Sequence, residues 1–505
     1  MFKESYLPRW LLVYGLCVPL ALLLGYLLAT PTAFTSYATI ALVLSALALP
    51  VLLRWHHAIL ILLWNSYLIV FFIPGQPSLT FALAGCSFAI SLLQHTMRRE
   101  KVFFIVPSIG WSLVLLGLVA AVTAQLTAGI GGRAFGEEMW GAKRYLGVFG
   151  AIIGYFALVA QPVPEERATL YASIYFLSGV TAVFSDLVYA AGPSFYVLFA
   201  FFPAVMAGSQ ALTQDTLLRF SGVGFAAQSA SFFMLARYGI RGLFDMTRPW
   251  RMAFFLVVTA CSLLGGYRSL LILSILIFWV QFYFEGLFRS RYMLILLLAG
   301  VLIGAGITAY AEKLPLSVQR SLSFLPLKVD SLARQDAQGT LDWRLEIWKA
   351  VLPEVPKYFL LGKGFAYSGT DAYLATEAIR RGIAYTIDEA TIIGGYYHQG
   401  ILSIIIPLGI WGLLLFGWFC WASLKVLFQN YRYGSERLKL INTALLSAFV
   451  GRLVFYIFFY GQFDQDLFLL TGIVGLSIAL NGGGRRAREA TPNEVSAGAA
   501  VTAGT

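Results

Sequence analysis

His398 is the side chain in this sequence best suited to move a proton near neutral pH. Of the four histidines, His56, His57 and His95 fall at span ends expected on the inner side of a membrane. His398, in Gly394-Gly-Tyr-Tyr-His-Gln-Gly400, stands where a long polar segment returns to an apolar run. An imidazole with an ordinary pKa of about 6.5 can take a proton from a hydroxyl. Two arginines are expected at the same outer face. Arg268 lies in Gly265-Gly-Tyr-Arg-Ser-Leu-Leu, at the tight connection between two apolar runs. Arg344 lies in Leu341-Asp-Trp-Arg-Leu-Glu-Ile-Trp348, four residues from Trp348 and on the same helical face. Each has a plainer reading: Arg268 as an interfacial arginine snorkelling to the headgroups, and Arg344 as part of an amphipathic surface helix with an acidic partner. Taken together, a base and guanidinium clamps suit transfer of a group from a diphosphate to a hydroxyl, because guanidinium binds phosphate bidentately and stabilises charge on a diphosphate leaving group.

Nucleotide chemistry has no support. The chain has no GxxxxGK[ST] loop, and Gly129-Ile-Gly-Gly-Arg-Ala-Phe-Gly136 falls between apolar spans and does not follow a strand. HExxH and GxSxG are absent, and the cysteines Cys17, Cys86, Cys261 and Cys420 all lie in apolar runs without zinc or disulfide spacing. A diphosphate donor would then have to arrive already activated, attached to a membrane lipid.

The elements that must hold these residues are set by composition. Of 505 residues, 59% are hydrophobic and only 12% are charged, too few to cover a water-exposed surface. Apolar runs near the roughly 20 residues needed to cross hydrocarbon fall at 9–29, 33–53, 56–73, 78–94, 102–124, 144–160, 168–188, 221–236, 251–267, 269–285, 292–311, 399–420, 440–460 and 464–480. The first lacks a small-residue cleavage site and is expected as an uncleaved span. A further run, Phe195 to Leu212, is interrupted by Pro203 and suits a re-entrant segment. If it does not cross, twenty lysines and arginines fall on the cytoplasmic side against five in short outer loops, as the positive-inside rule requires. The net charge of +11 then sits on the inner face beside anionic lipid, and no nucleic-acid partner is needed to explain it.

The expected fold is therefore an all-α polytopic integral membrane protein of about 12–14 transmembrane helices, with both termini cytoplasmic. Residues 1–311 form an N-terminal bundle, 312–398 one long helical periplasmic loop with ten basic and ten acidic residues, 399–480 the C-terminal helices and 481–505 a disordered tail.

At these residues the sequence resembles the O-antigen ligase and O-antigen polymerase superfamily of bacterial envelope enzymes. Arg344-Leu-Glu-Ile-Trp348 matches the family's Arg-x-x-x-Trp helix, Leu361-Gly-Lys-Gly-Phe365 its Gly-x-Gly turn, and His398 with Leu408-Gly-Ile-Trp-Gly412 its histidine and following span. Upstream, Arg219-Phe-Ser-Gly222 and Gly266-Tyr-Arg268-Ser resemble its Arg-x-x-Gly and Ser-Arg-Gly junctions. The resemblance implies transfer of a glycan from undecaprenyl diphosphate to a glycan, to lipid A–core or to another hydroxyl acceptor in lipopolysaccharide or other surface polysaccharide synthesis at the inner membrane. It implies His398 as the catalytic base, Arg268 and Arg344 as ligands of the donor diphosphate, and Gly362 and Gly364 as turn residues close to the donor. Lys363 and Arg219 are further phosphate ligands, and neither cofactor nor metal is implied. Gln399 replaces the Asn that usually follows the histidine, Tyr267 replaces the serine of the Ser-Arg junction, and the proline before Gly-x-Gly is displaced to Pro353 and Pro356.

Asp464-Gln-Asp466 has the spacing of a metal-binding pair in soluble glycosyltransferases, but an ordinary polar turn between two spans is the expected reading. A transporter or flippase would also have many spans and a basic surplus. Carriers, however, place ionisable groups near the midplane, and here only Asp186 and Arg452 interrupt apolar runs. Ligase and polymerase differ in acceptor, which these motifs do not encode; a single long loop late in the chain favours the ligase.

Overall fold

The computed structural model describes residues 14–15, 17–22, 25, 34–71, 73, 75–98, 105–127, 129–132, 138–203, 219–381 and 388–484. Most of the expected first span, residues 204–212 of the run at 195–212 and residues 485–505 of the tail lie outside them.

The chain runs through α1 (Phe34–Leu63), α2 (Leu79–Arg98), α3 (Pro107–Leu126) and α4 (Ala142–Val159). Two short helices, α5 (Ala168–Leu177) and α6 (Val183–Ala191), flank a 3-10 turn at Ser178–Ala182. Then come α7 (Ser221–Leu243), α8 (Trp250–Leu263), α9 (Arg268–Phe284) and α10 (Arg291–Tyr310). The long loop carries α11 (Leu316–Leu322), α12 (Ser331–Val351), α13 (Val355–Tyr358), α14 (Gly369–Arg380) and α15 (Asp388–Ile393). The chain returns through α16 (Leu402–Tyr433), α17 (Lys439–Phe458) and α18 (Phe463–Asn481). Strand β1 (Met139–Trp140) pairs antiparallel with β2 (Tyr367–Ser368), tying the α3–α4 connection to the long loop.

Among the described residues nine helical stretches are long and apolar enough to cross a membrane, and α8 and α9 are shorter apolar helices. The protein is thus all-α and polytopic. The runs at 33–53 and 56–73 do not make two spans: they merge into α1, which ends at Leu63. Trp64 follows at its end. Its ring stacks on Phe468 at 4.3 Å and nearly parallel, and it fills the space left by Gly154 of α4 and Gly472 of α18. Small residues let helix backbones approach closely where packing cannot rely on the hydrophobic effect. Beyond Trp64 the chain turns back, with Val70 N donating to Pro77 O (2.9 Å) and Leu79 N to Leu68 O (2.8 Å). The run at 221–236 belongs to α7, which Gln228, Ser229 and Ser231 make more polar than those nine stretches. Asp186, one of the two charges within apolar runs, accepts Val223 N (2.8 Å) in the first turn of α7, where the helix dipole favours an anion.

The return helix α16 is broken at Pro407 and Gly409 (φ 64°, ψ −165°). Proline has no amide hydrogen and disrupts the i to i−4 ladder, and backbone groups freed near a membrane must find other partners. Residues 359–364 supply them. Lys363 N donates to Ile406 O (2.9 Å), Gly364 N to Pro407 O (3.0 Å), and Ile410 N to Phe359 O (2.7 Å). Such close contact excludes a side chain at Gly362 (φ 73°), where a Cβ would collide with the Pro407 carbonyl. Gly362→Ala is expected to lower the thermal midpoint of the detergent-purified protein, since left-handed backbone alone costs a non-glycine residue about 1–2 kcal/mol. Gly306→Ala, on an open face of α10, should leave the midpoint unchanged or raise it slightly.

Candidate active site

The starts of α4, α7, α9, α16 and α18 and the ends of α3, α8, α10 and α17 meet the long loop on one face. Helix α12 lies across them. Asp330 caps it by accepting Leu332 N (2.8 Å), and buried Ala333, Ala337, Ile347 and Val351 mark its inward side. Asp336, Thr340 and Arg344, spaced by four, form a polar stripe beside that side.

His398 has a left-handed backbone (φ 52°), which a non-glycine residue holds only where its surroundings enforce it. Two long side chains do so here. Trp348 Nε1 donates to Tyr397 O (2.9 Å), and buried Arg144 donates to Gly395 O (2.6 Å) while lying 4.8 Å from the Tyr396 ring. On the other side, Leu402 N donates to Gln399 Oε1 (2.6 Å), so the residue in the place of the usual Asn caps the first turn of α16. The imidazole lies between Trp343 (5.0 Å) and Tyr460 (5.3 Å). Its Nδ1 is buried and has no hydrogen-bond partner among the described residues. Burial, and then the nearby Arg344 guanidinium, lower its pKa to about 4, so the imidazole is neutral at ordinary pH and available as an acceptor.

Arg344 reaches the same place from α12, 5.5 Å from the Tyr460 ring, and its Nε is buried without a partner among the described residues. The acidic partner expected of a plain surface helix goes elsewhere. Asp336 binds Arg219 through both oxygens (3.1 Å each) and also pairs with Arg320. Arg320 is buried, donates to Gly266 O and lies 3.1 Å from Thr340 Oγ1; it was not among the residues marked in the sequence. Arg268 donates to Ala337 O (2.6 Å) and faces a neighbouring pocket, away from His398. Gly362 and Gly364 serve the broken helix α16: a Cβ at Gly364 would lie 2.6 Å from Thr127 Oγ1 and 2.9 Å from the Tyr145 hydroxyl. The Lys363 ammonium lies 5.8 Å from both Tyr358 and Tyr397; burial is the main cause lowering its pKa.

His398 and Arg344 open onto a cavity of about 770 Å³ that descends into the bundle between α5, α7, α9, α17 and α18. Its upper wall adds Lys143, Tyr267, Asp464 and Asp466, and its depths Arg452, with Trp64, Phe232, Leu273, Phe468 and Ile473 as apolar lining. Tyr267, in place of the usual serine, exchanges a hydrogen bond with Ser221 (3.2 Å). Asp464 lies 3.9 Å from Arg144, and Asp466 accepts Gln462 N (2.8 Å). Asp464 and Asp466 stand in the first turn of α18 and border the cavity. A neutral base, an unpaired guanidinium and an apolar floor suit an amphiphilic anion better than a free sugar.

If Trp348 and Arg144 hold the His398 backbone, Trp348→Phe, which keeps the ring but removes the donor, should shift and broaden the His398 imidazole resonances in ¹H–¹⁵N spectra and cost on the order of 1 kcal/mol of stability. Unchanged His398 resonances in Trp348→Phe and in Arg144→Met would show that the two side chains do not position it.

A family model described as O-antigen ligase matches residues 250–417. No curated protein matches the chain. The matched stretch contains Arg268, Arg344, Gly362, Gly364 and His398, and runs from α8 to the upper half of α16. Over residues 250–417 the sequence is similar to the O-antigen ligase family.

Proposed function

We propose that the protein transfers a glycan from undecaprenyl diphosphate to an acceptor hydroxyl at the periplasmic face of the inner membrane, in the manner of an O-antigen ligase. The acceptor oxygen bonds to the anomeric carbon of the glycan. The bond from that carbon to the carrier's diphosphate oxygen breaks, and its electron pair leaves with the diphosphate. His398 takes the hydroxyl proton. Arg344 meets the developing charge on the leaving group, with Arg268, and with Arg219 and Arg320 on Asp336, adding positive potential along α12 and Lys363 behind the histidine loop. The apolar depth of the cavity suits the polyprenyl chain, and the step as written calls on no metal or cofactor. The observation that carries this reading is the pairing, in one cavity, of a neutral His398 with an Arg344 that has no carboxylate partner among the described residues.

The purified protein in lipid nanodiscs, given a polyprenyl-diphosphate glycan and an acceptor lipid, should form the glycosylated acceptor. His398→Ala should slow this by on the order of 10²-fold or more without loss of the folded state; an undiminished rate would sink the base assignment. Chain growth without added acceptor would instead identify a polymerase, and movement of the carrier lipid across the membrane without transfer a flippase.

The pH profile gives a second check. Because the His398 pKa lies below 6.5, the base is active above its folded pKa and is lost only as pH falls through about 4. The acidic limb of kcat/KM, which reports the free enzyme, is therefore expected well below pH 6.5. Arg344→Gln, which removes the second cause of the lowering, should move the limb upward. A wild-type limb at or above pH 6.5 would contradict the buried, neutral base.

A further inference from the structure

A second pocket lies on the loop face, on the side of α12 away from His398. It has a volume of about 370 Å³ and is bordered by Arg268, Ser323, Phe324, Leu325, Arg334 and Gln338. Its charge is one-sided: two guanidiniums line it, and among the described residues no carboxylate does. Each arginine spends one nitrogen on a backbone carbonyl, Arg268 on Ala337 O (2.6 Å) and Arg334 on Leu327 O (2.8 Å). These bonds orient the side chains and leave further N–H groups for a ligand. The nearest acid on α12, Asp336, is committed to Arg219 and Arg320 on the helix's other side. Phe324 is 48% exposed at the rim, an apolar platform on which the face of a sugar ring can rest, and Gln338 offers an amide to its hydroxyls.

We propose that this pocket binds the oxyanion of an acidic sugar, a uronate carboxylate or a sugar phosphate, on one of the two glycans that meet at the catalytic cavity. The proposal rests on the glycosyl-transfer reading above. Arg268 connects the two sites, because Tyr267 and Ser269 on either side of it line the His398 cavity. A glycan anchored here by a charge away from its reacting end would present that end toward His398, and neutral glycans would lack the anchor.

The test uses the full-length protein in nanodiscs. Binding of an oligogalacturonate, of its neutral methyl ester and of inorganic phosphate is measured calorimetrically on wild type, Arg334→Ala, Arg334→Lys and Phe324→Ala. Arg334 is exposed but bonds Leu327 O, so the thermal midpoint of each Arg334 variant is measured beside its binding. Wild type should bind the acidic oligosaccharide more tightly than the ester. Arg334→Ala should weaken that binding on the order of tenfold, the usual effect of losing one charge-assisted hydrogen bond, with Arg334→Lys recovering part of it. Phosphate binding that also depends on Arg334 would indicate the sugar-phosphate source, and its absence the uronate. Transfer assays with the acidic residue placed first on the donor and then on the acceptor identify which glycan occupies the pocket, through a raised KM at unchanged kcat in Arg334→Ala. Equal affinity for acid and ester, or affinity indifferent to Arg334, would overturn the proposal even if His398-dependent transfer persists. Failure of wild type to transfer any glycan would instead count against the function, and the binding arm would still report on the pocket.

Discussion

The left-handed backbone at His398 is the conformation around which the rest of the site is arranged. A residue with a side chain does not hold φ near +50° unaided, and the cost is on the order of 1–3 kcal/mol. Here it is enforced from three parts of the chain that are far apart in sequence: Trp348 from the loop helix, Arg144 from the start of α4, and the Gln399 cap at the start of α16. The same conformation turns the imidazole between Trp343 and Tyr460 and leaves Nδ1 without a partner. Removing water and supplying no acceptor or donor in its place is what keeps the ring neutral.

Around that base the charges are sorted by helix α12. One carboxylate, Asp336, absorbs two guanidiniums, while eight residues further on Arg344 has no carboxylate partner among the described residues. An uncompensated buried cation is costly, and proteins retain one where a ligand completes it. The apolar walls and the acidic pair Asp464 and Asp466 give the cavity two environments, one apolar and one polar.

Much of this was legible in the sequence, for physical reasons that differ by residue. His398, Arg344 and Arg268 stood out because a titratable or charged group beside an apolar run has few structural excuses. Gly362 and Gly364 were legible as a turn, but their reason was not: they admit the backbone that satisfies the break at Pro407 and Gly409, a partner some 45 residues away in the chain. Arg320 and Arg144 escaped notice because each looks like a surface charge until a remote carbonyl or carboxylate is brought to it. The spans at 33–53 and 56–73 were separated by Arg54, Trp55, His56 and His57, which composition treats as a boundary. Folded, His56 meets Ser87 and Gln161, and His57 meets Leu158 O, so a single helix carries them through. The first span and the tail fall outside the described residues.

The size of the cavity sets what the protein is able to measure. A space of about 770 Å³ lies in the range that encloses a ligand of drug-like size, enough for a diphosphate and the sugars next to it but not for a polysaccharide. Everything beyond the first few rings must trail outside. In the transfer proposed above, such a site would enclose the junction being made and not the length of what it joins.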